Sequence, residues 1–493
     1  MRLYMSLSST LRWPGPFGGL TGHPHGSIWE KHIELSSPSL TEGDPGKEAI
    51  NQNVTLFYIN KFGSYPYIER KIERNGGVPQ KGNLTAHLEK VKQDILKHMP
   101  KDQLGLAVID WPNWKPLWIR NVGFRTIYMN KSIDLAKQNF PNLSIEEVTK
   151  LAKEDFENAG KTYMLKTLEL GRSLRPKNYW GFLNFPDCFN YNYNDINYNG
   201  SCLQPEMERN DVLNWLWNGS TALFPSINLF INLKSTIKAA LYTRNRVREA
   251  LRVSKVRNPQ NPLPVFVYVR PSFGDRHAQF LSEIDLVHTI GESFALGVSG
   301  VVMLEGAYIT QFEGFCKTLQ QDLSKTLGKY LVNVTLASIM CTRILCKNQG
   351  YCVRKDWNSS DYLHLNPNNF EIKFSYCNKF IVFGEPSVQD LKQFSEKFEC
   401  ACFSKKNCEK NEKVETTRHV RICVTENICI SALVNPGSSV IPYEETSETL
   451  IPSSTSATST ESNTGSTYSS QQTPTIPRNN DTAAIFEQEI PFQ

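Results

Sequence analysis

The sequence predicts an α/β fold, a parallel (β/α) TIM-like barrel, and three observations favour it. Short apolar runs alternate with amphipathic stretches of helical period, which is the order of elements in such barrels. One run, Gly105–Ile109, is apolar throughout, as strands buried on both faces are. The carboxylate of Asp110 follows it directly, at the strand end where barrels place catalytic groups. The strand candidates are Val54–Ile59, Gly105–Ile109, Tyr179–Asn184, Ala222–Ser226, Val265–Arg270 and Gly300–Leu304.

Three segments between these strands are predicted to be helices. Ser144 and Glu147 have the spacing of a capping box, and apolar residues recur after them every three or four positions. Similar periodicity marks Thr236–Ser254 and Phe315–Ser338. Because a closed barrel needs about eight strands, the candidates suggest that the first strand is missing. Residues 1–50 are rich in Gly, Pro and Ser and are expected to be irregular, which would leave an unpaired barrel edge.

The aromatic residues beside Asp110 indicate a carbohydrate ligand. Trp111, Trp114 and Trp118 follow it closely, with Lys115 among them. Aromatic faces suit the C–H faces of a sugar ring, while a carboxylate and a cation suit its polar groups. The alternative is that these rings belong to the hydrophobic core, which is where most aromatic side chains on strands lie.

Composition bounds the classes of partner. The chain has 493 residues, 40% of them hydrophobic, and a net charge of +5. This mild excess of positive charge suits a polyanionic ligand but is far from that of a nucleic-acid-binding protein. The sequence contains neither a histidine pair at metal-ligand spacing nor a Gly-rich phosphate loop, so no metal and no cofactor are predicted.

Cysteine usage predicts an oxidising, extracellular location. Of the twelve cysteines, nine lie between residues 341 and 429, which is typical of a disulfide framework, and nine Asn-x-Ser/Thr sequons agree with a secreted glycoprotein. Residues 1–22 lack the apolar core of a signal peptide, and no run of 18 apolar residues predicts a membrane span. The C-terminal end lacks the hydrophobic tail of a lipid-anchored protein. Pro436–Pro477 is rich in Ser, Thr and Pro and is predicted to be a disordered stalk.

The stretch Asp110-Trp-Pro-Asn-Trp-Lys-Pro116 resembles the active-site strand of the animal hyaluronidases, glycoside hydrolases whose motif is Asp-Trp-Glu-x-Trp-Arg-Pro. The resemblance covers residues 51–432, and Trp357–Pro367 resembles the sperm-type, PH-20-like subgroup. It implies that the Asp orients the substrate's N-acetyl group, whose carbonyl is the nucleophile, while the Glu protonates the leaving oxygen. Asp110 is retained, but Pro112 stands at the Glu position and cannot donate a proton.

Further positions follow from the same resemblance. Phe189 and Phe224 replace tyrosines, and Leu304 replaces a substrate-stacking tryptophan. One Tyr→Phe change is often neutral, but the loss of these groups together with a general acid, typically worth 10²–10⁴-fold in rate, predicts turnover close to background. The substrate-binding positions that the resemblance implies are Trp111, Trp114, Phe189, Phe224, Arg246, Glu249, Tyr268 and Leu304.

The cysteines also follow a family pattern. Their spacing in residues 341–408 resembles an EGF-like module, although spacing alone does not fix the pairing. Cys316 lacks its family partner and Cys377 has no family counterpart, so both are expected to be free thiols. The disulfides that the resemblance implies are Cys188–Cys202, Cys341–Cys352, Cys346–Cys400, Cys402–Cys408 and Cys423–Cys429.

The first functional hypothesis is a hyaluronidase-type endo-β-N-acetylhexosaminidase whose activity is lost or strongly impaired and which acts on or binds hyaluronan or a chondroitin-type glycosaminoglycan. The alternatives are an active hyaluronidase with another acid, such as Glu305, or a sperm or matrix adhesion protein that uses its outer surface. The resemblance implies a monomer that is secreted or located on the sperm surface or acrosome. The expected organisation is an irregular segment 1–50, a barrel 51–338, an EGF-like module 339–432 and a disordered tail 433–493.

Overall fold

Parallel strands form the centre of the structure, a computed structural model that describes residues 2–7, 41–43, 54–59, 62–102, 104–305, 313–375, 380–402, 408, 410–425 and 428–436. The strands are β1 Arg2–Leu7, β2 Thr41–Gly43, β3 Val54–Tyr58, β4 Tyr67–Glu69, β5 Ile72–Arg74, β6 Leu106–Asp110, β7 Tyr179–Phe182, β8 Phe266–Val269, β9 Ser272–Phe273, β10 Arg276–Phe280, β11 Gly300–Glu305, β12 Gly350–Arg354, β13 Phe370–Phe374, β14 Phe380–Gly384, β15 Phe398–Cys402, β16 His419–Thr425 and β17 Ile428–Leu433. The helices are α1 Leu84–His98, α2 Thr126–Asn139, α3 Ile145–Leu174, α4 Gln204–Val212, α5 Asn214–Gly219, α6 Ile237–Ser254, α7 Glu283–Leu286, α8 Glu292–Ala295, α9 Glu313–Lys325, α10 Leu327–Cys346 and α11 Val388–Lys397.

Two parallel sheets make up the barrel wall. One has the strand order β3-β6-β7, and the other has the order β2-β1-β11-β8. Residues 222–226 connect the two sheets. Ser226 bridges to Tyr268 of β8 and Leu223 bridges to Val265 just before β8, while Phe224 bridges to the residue after β7. This segment was expected to be a full strand and is present only as isolated bridges. At the other side β2 contacts β3, so the strands follow one another around the barrel.

The N-terminal residues contribute a strand that sequence analysis missed. β1 pairs in parallel with β11, in the register Arg2↔Gly300 to Leu7↔Glu305, and with β2 on its other side. The expectation of an irregular segment over residues 1–50 is therefore wrong for these two strands. Because β1 satisfies the backbone groups along the edge of β11, the expected unpaired edge is covered at this place.

Alternating side chains of the strands separate two apolar layers. Val54 and Leu56 of β3, with Leu106 and Val108 of β6, belong to a cluster inside the barrel. The residues between them, such as Ala107, belong to the larger cluster that lies between the strands and the helices. Because successive side chains of a strand point to opposite faces, the same alternation continues to Tyr58 and Asp110 and directs both toward the barrel interior at its C-terminal mouth.

The helices agree with the periodic segments of the sequence. α3 begins with the expected capping box, in which the Ser144 hydroxyl accepts from the Glu147 amide at 3.3 Å and the Glu147 carboxylate accepts from the Ser144 amide at 2.9 Å. The long segment Phe315–Ser338 is divided between α9 and α10. Lys317–Cys346 is long and apolar enough to cross a membrane, but 72% of its most apolar window is buried inside the protein. Buried core helices pass the same test, so this is weak evidence for a membrane span.

The C-terminal part of the described chain is rich in disulfides. Its antiparallel pairs β12–β15, β13–β14 and β16–β17 lie around α10 and α11, and share a separate apolar cluster. The side chain of Cys316 and the whole of Cys377 lie outside the described residues, so the expectation of free thiols stays a prediction. The structure has the pairs that the resemblance implies: Cys188–Cys202, Cys341–Cys352, Cys346–Cys400, Cys402–Cys408 and Cys423–Cys429.

Candidate active site

The candidate site is the C-terminal mouth of the barrel, where Asp110 ends β6. The residues before Asp110 in β6 are buried, and Asp110 itself is partly exposed. In the strand register it lies opposite Tyr58 of β3. Tyr268 of β8 is buried, and its hydroxyl has no hydrogen-bond partner among the described residues. A carboxyl group and two phenols thus lie near one another at the strand ends that form the mouth.

The charge of Asp110 depends on its surroundings. Burial raises the pKa of the Asp110 carboxyl to about 6, although the positive charges of Lys115 and Arg270 oppose that rise. Burial also raises the pKa of Tyr268, and the neighbouring Tyr58 and Asp110 add to the effect. Tyr268 therefore remains a neutral phenol at physiological pH, while Asp110 changes its charge between neutral and mildly acidic conditions.

Position 112 lacks a proton donor but has a fixed backbone. The carbonyl of Pro112 accepts hydrogen bonds from Nε and Nη2 of Arg125, at 3.2 and 3.1 Å. Pro112 is half-buried, two residues beyond Asp110. The backbone at this position is held through its carbonyl, whatever side chain it carries, and the proline ring offers no ionisable group.

The comparison with known proteins decides the family. The family model described as Hyaluronidase matches residues 28–415, which begins further upstream than the resemblance seen in the sequence. The chain belongs to the hyaluronidase family. Its relatives include hyaluronidase PH-20 of Macaca fascicularis, 49% identical over 83% of this chain and 81% of the relative. Hyaluronidase-5 of Mus musculus is 49% identical over 84% and 78%, and hyaluronidase-4 of Homo sapiens is 43% identical over 73% and 76%.

Solved structures support the same assignment. The crystal structure of bee venom hyaluronidase is 28% identical to this chain, with a TM-score of 0.53 over 57% of this chain and 87% of the bee protein. The structure of the bee enzyme in complex with a hyaluronic acid tetramer gives 27% identity and a TM-score of 0.52 over 57% and 86%. The (β/α) barrel expected from the sequence is therefore the fold of this hyaluronidase family member.

The tryptophans after Asp110 do not line the mouth. Trp111 is 6% exposed and Trp114 is 2% exposed. Both stack on Tyr65, at ring distances of 4.5 and 5.2 Å, and Trp114 Nε1 donates to the carbonyl of Pro66 at 2.9 Å. The interpretation of Trp111 and Trp114 as sugar platforms is corrected, because burying these large rings between strand and helices stabilises the core instead. Trp118, 7% exposed, belongs to the same layer.

Phe189 lies on a loop fixed by charges. The carboxylate of Asp187 accepts from the amides of Cys188 and Phe189, at 2.8 and 3.2 Å, and forms an ion pair with Arg246 at 3.1 Å. Burial opposes ionisation of Asp187, but nearby cations outweigh it and lower its pKa. The guanidinium of Arg120 lies 3.6 Å from the centre of the half-buried Phe189 ring. Phe189 is thus next to the mouth, but the guanidinium of Arg120 already covers one face of its ring.

Three family positions are buried and act on the scaffold. Arg246 donates to Oδ1 of Asn190 at 2.9 Å, and Glu249 accepts from Nδ2 of Asn210 at 2.7 Å. Phe224 is fully buried in the barrel interior. None of the three is exposed, and in this structure they shape the loops and the barrel wall around the mouth. Their expected direct contact with substrate, like that of the buried Tyr268, stays a prediction.

Two cations act on Asp110 at the mouth: Lys115, which the sequence already singled out, and Arg270, which sequence analysis did not consider as a site residue. Arg270 follows β8 as Asp110 ends β6, and its Nη1 donates to Nδ1 of His277 on β10 at 3.2 Å. Lys115 lies with its ammonium 5.0 Å from the centre of the Phe185 ring. The signal that could have identified Arg270 as a site residue was its position directly after a strand. The side chains of Leu304 and Glu305 lie outside the described residues, so their expected roles stay predictions. Among the described residues, no three His, Cys, Asp or Glu side chains form a group that could hold a metal ion.

Proposed function

We propose that this chain binds hyaluronan, or a chondroitin-type glycosaminoglycan, at the barrel mouth and has lost most or all of the family's hydrolytic activity. The observation that carries the proposal is Pro112 at the proton-donor position, beside a retained Asp110. The solved complex of bee venom hyaluronidase with a hyaluronic acid tetramer supports the choice of ligand. Lys115 and Arg270 supply positive charge for the carboxylates of such a polymer.

In the chemistry of the family, holding the substrate's acetamido group and protonating the leaving oxygen are separate roles. In the substrate-assisted reaction, a carboxylate holds the substrate's acetamido group while its carbonyl oxygen attacks the anomeric carbon. Asp110 is placed to hold that group when ionised. The leaving oxygen must receive a proton as its bond to the anomeric carbon breaks, and Pro112 cannot supply it. Binding breaks no bond and needs no proton transfer, so it survives the loss of the second role.

A second candidate, residual hydrolysis, is favoured by one observation. Because burial raises the pKa of Asp110 to about 6, a fraction of this carboxyl carries a proton at mildly acidic pH and has the chemistry of a general acid. A protonated Asp110 cannot also act as the carboxylate that orients the acetamido group. Any activity by this route would therefore be slow and would disappear in Asp110→Asn.

The proposal also assigns the protein an extracellular location and an EGF-like module. Its disulfides suit an oxidising compartment, and so support secretion or display outside the cell. The pairs in residues 341–408 suit the EGF-like module that the resemblance implies. We infer that the protein acts as a monomer at this single mouth.

Two measurements on the full chain test the proposal. A hyaluronan zymogram should show no cleared band above that of an Asp110→Asn control. Equilibrium binding to hyaluronan should weaken by about threefold in Arg270→Gln, since one charge is lost at the mouth in screened solution. It should not change in Lys166→Gln, whose exposed ion pair with Glu169 lies on α3. Full cleavage by the parent chain would refute the loss of activity. An unchanged affinity for hyaluronan in Arg270→Gln would instead favour adhesion through the outer surface.

A further inference from the structure

Arg270 lies between two groups that change charge under acidic conditions. On one side its charge acts on the carboxyl of Asp110. On the other side its Nη1 donates a hydrogen bond to Nδ1 of His277, at 3.2 Å. An arginine can only donate, so His277 must accept through an unprotonated nitrogen. The observed contact therefore belongs to neutral His277.

The surroundings of both groups determine the direction of any pH effect. Asp110 is faced by Lys115 from its own loop, by Tyr58 from β3 and by Arg270 from the end of β8. Tyr65 and Tyr268 lie close enough for Asp110 to raise their pKa values. Glu305 ends the neighbouring strand β11, but its side chain lies outside the described residues.

His277 has a different set of neighbours. Burial and Arg270 lower its pKa, while Asp275 on the preceding turn opposes the decrease. Asp275 is itself held by the amide of Ile231, which donates to it at 2.8 Å. The exposed Arg276 precedes His277 on β10 and adds a further cation. Partly buried His277 can still take up a proton in acid, when it must give up the hydrogen bond from Arg270.

Acidification therefore changes the mouth in one direction. Protonation of Asp110 removes a negative charge, and protonation of His277 adds a positive one, so each event makes the local charge more positive. Both events also release Arg270, because the carboxylate no longer attracts it and the imidazole no longer accepts from it. The uronic acid carboxylates of a glycosaminoglycan remain ionised under these mildly acidic conditions.

We propose that the barrel mouth is an acid-strengthened binding site for a polyanionic glycosaminoglycan, in which Asp110 and His277 release Arg270 toward a carboxylate of the ligand. This inference rests on the proposed function, because it assigns a regulation to the same site. Binding and release then follow the pH of the surroundings without any change of fold.

The experiment measures the Kd of the full chain for a hyaluronan oligosaccharide at constant ionic strength, from about pH 7.5 to about pH 5. Affinity should increase as the pH falls, by roughly threefold for each charge gained in screened solution. Asp110→Asn should bind at pH 7.5 more tightly than the parent chain, and should retain only the part of the increase due to His277. His277→Gln should lose that part. His419→Gln on β16 removes another histidine and is the matched control, which should keep the full parental increase.

The outcomes separate this inference from the proposed function. Binding with the same Kd at both pH values, or weaker binding in acid, overturns acid strengthening but leaves glycosaminoglycan binding intact. An unchanged pH profile in His277→Gln and Asp110→Asn overturns the assignment to these two residues. No binding at either pH overturns both proposals. The pH profile of the parent chain decides the main point even when a variant fails to fold.

Discussion

Restoring the missing acid is the most direct test of the mouth. Pro112→Glu places a carboxyl two residues beyond Asp110, on a backbone that Arg125 holds through the carbonyl of residue 112. The substitution keeps that carbonyl, so the segment should stay in place. Removing proline increases the freedom of the unfolded chain, which costs roughly 0.4–1 kcal/mol of stability. Against a typical net stability of roughly 5–15 kcal/mol, the variant should still fold.

The size of the expected gain follows from the chemistry. A general acid typically contributes 10²–10⁴-fold, or roughly 3–5 kcal/mol of barrier. Phe189 and Phe224 still lack the hydroxyls that the resemblance assigns to them, so the gain should lie near about 10²-fold. The rate of Pro112→Glu should decrease at acidic pH, as Asp110 is protonated near pH 6. It should also decrease at higher pH, as the new carboxyl ionises.

The assay is release of reducing ends from hyaluronan by purified parent chain, Pro112→Glu and Pro112→Gln. The glutamine variant is the matched control, since it has nearly the same shape but no proton to donate. Only Pro112→Glu should rise above background, and adding Phe189→Tyr should increase its rate further. If the parent chain or Pro112→Gln cleaves as fast as Pro112→Glu, position 112 is not the proton-donor site and the proposed loss of activity is wrong.

Three further predictions concern stability. Because the pKa of Asp110 is about 6 rather than 3.8, its ionised form destabilises the fold, so Asp110→Asn should raise stability by roughly 1–2 kcal/mol at pH 7.5 in denaturant unfolding, with a gain that shrinks between about pH 6 and 4. Deletion of residues 1–7 should lower the Tm or abolish soluble expression, because β11 loses one of its two strand partners; deletion of the last seven residues is the control. Glu292→Gln should cost roughly 3–5 kcal/mol in thermal or urea unfolding, since it leaves two buried arginines without their carboxylate. The exposed Glu169→Gln should cost less than about 1 kcal/mol.

Local patterns of the sequence predicted much of the barrel. The β6 strand and the capping box of α3 depend on residues next to one another, and both are present in the structure. β1 could not be predicted in the same way, because its strand conformation depends on pairing with β11, which begins at Gly300 far along the chain. Its sequence also shows no strict alternation of apolar and polar residues. Non-local pairing, rather than propensity, makes this segment a strand.

The burial of Trp111 could have been predicted from the alternation of side chains along β6. Leu106 and Val108 face the barrel interior, so Asp110 shares their face while Ile109 and Trp111 fall on the opposite one. Counting along the strand would have placed Trp111 under the helices. Trp114 lies beyond the strand, where this rule no longer applies, and its place depends on how closely α3 approaches: a Cβ built on Gly160 would lie only 3.1 Å from the Trp114 ring. Such contacts between distant segments cannot be read from spacing.

The arrangement of the mouth is consistent with the proposed binding without catalysis. Asp187 forms an ion pair with Arg246, a buried residue of α6. Arg270 is held by its contact with His277. The hydrogen bonds that fix position 112 go to its backbone carbonyl. None of these contacts uses a side chain at position 112, so replacing a glutamate by proline there removes a proton donor without disturbing the charges that attract a polyanion. Under the proposed function the acid position is separable from the binding site, and the Pro112→Glu and Arg270→Gln variants measure this separation independently.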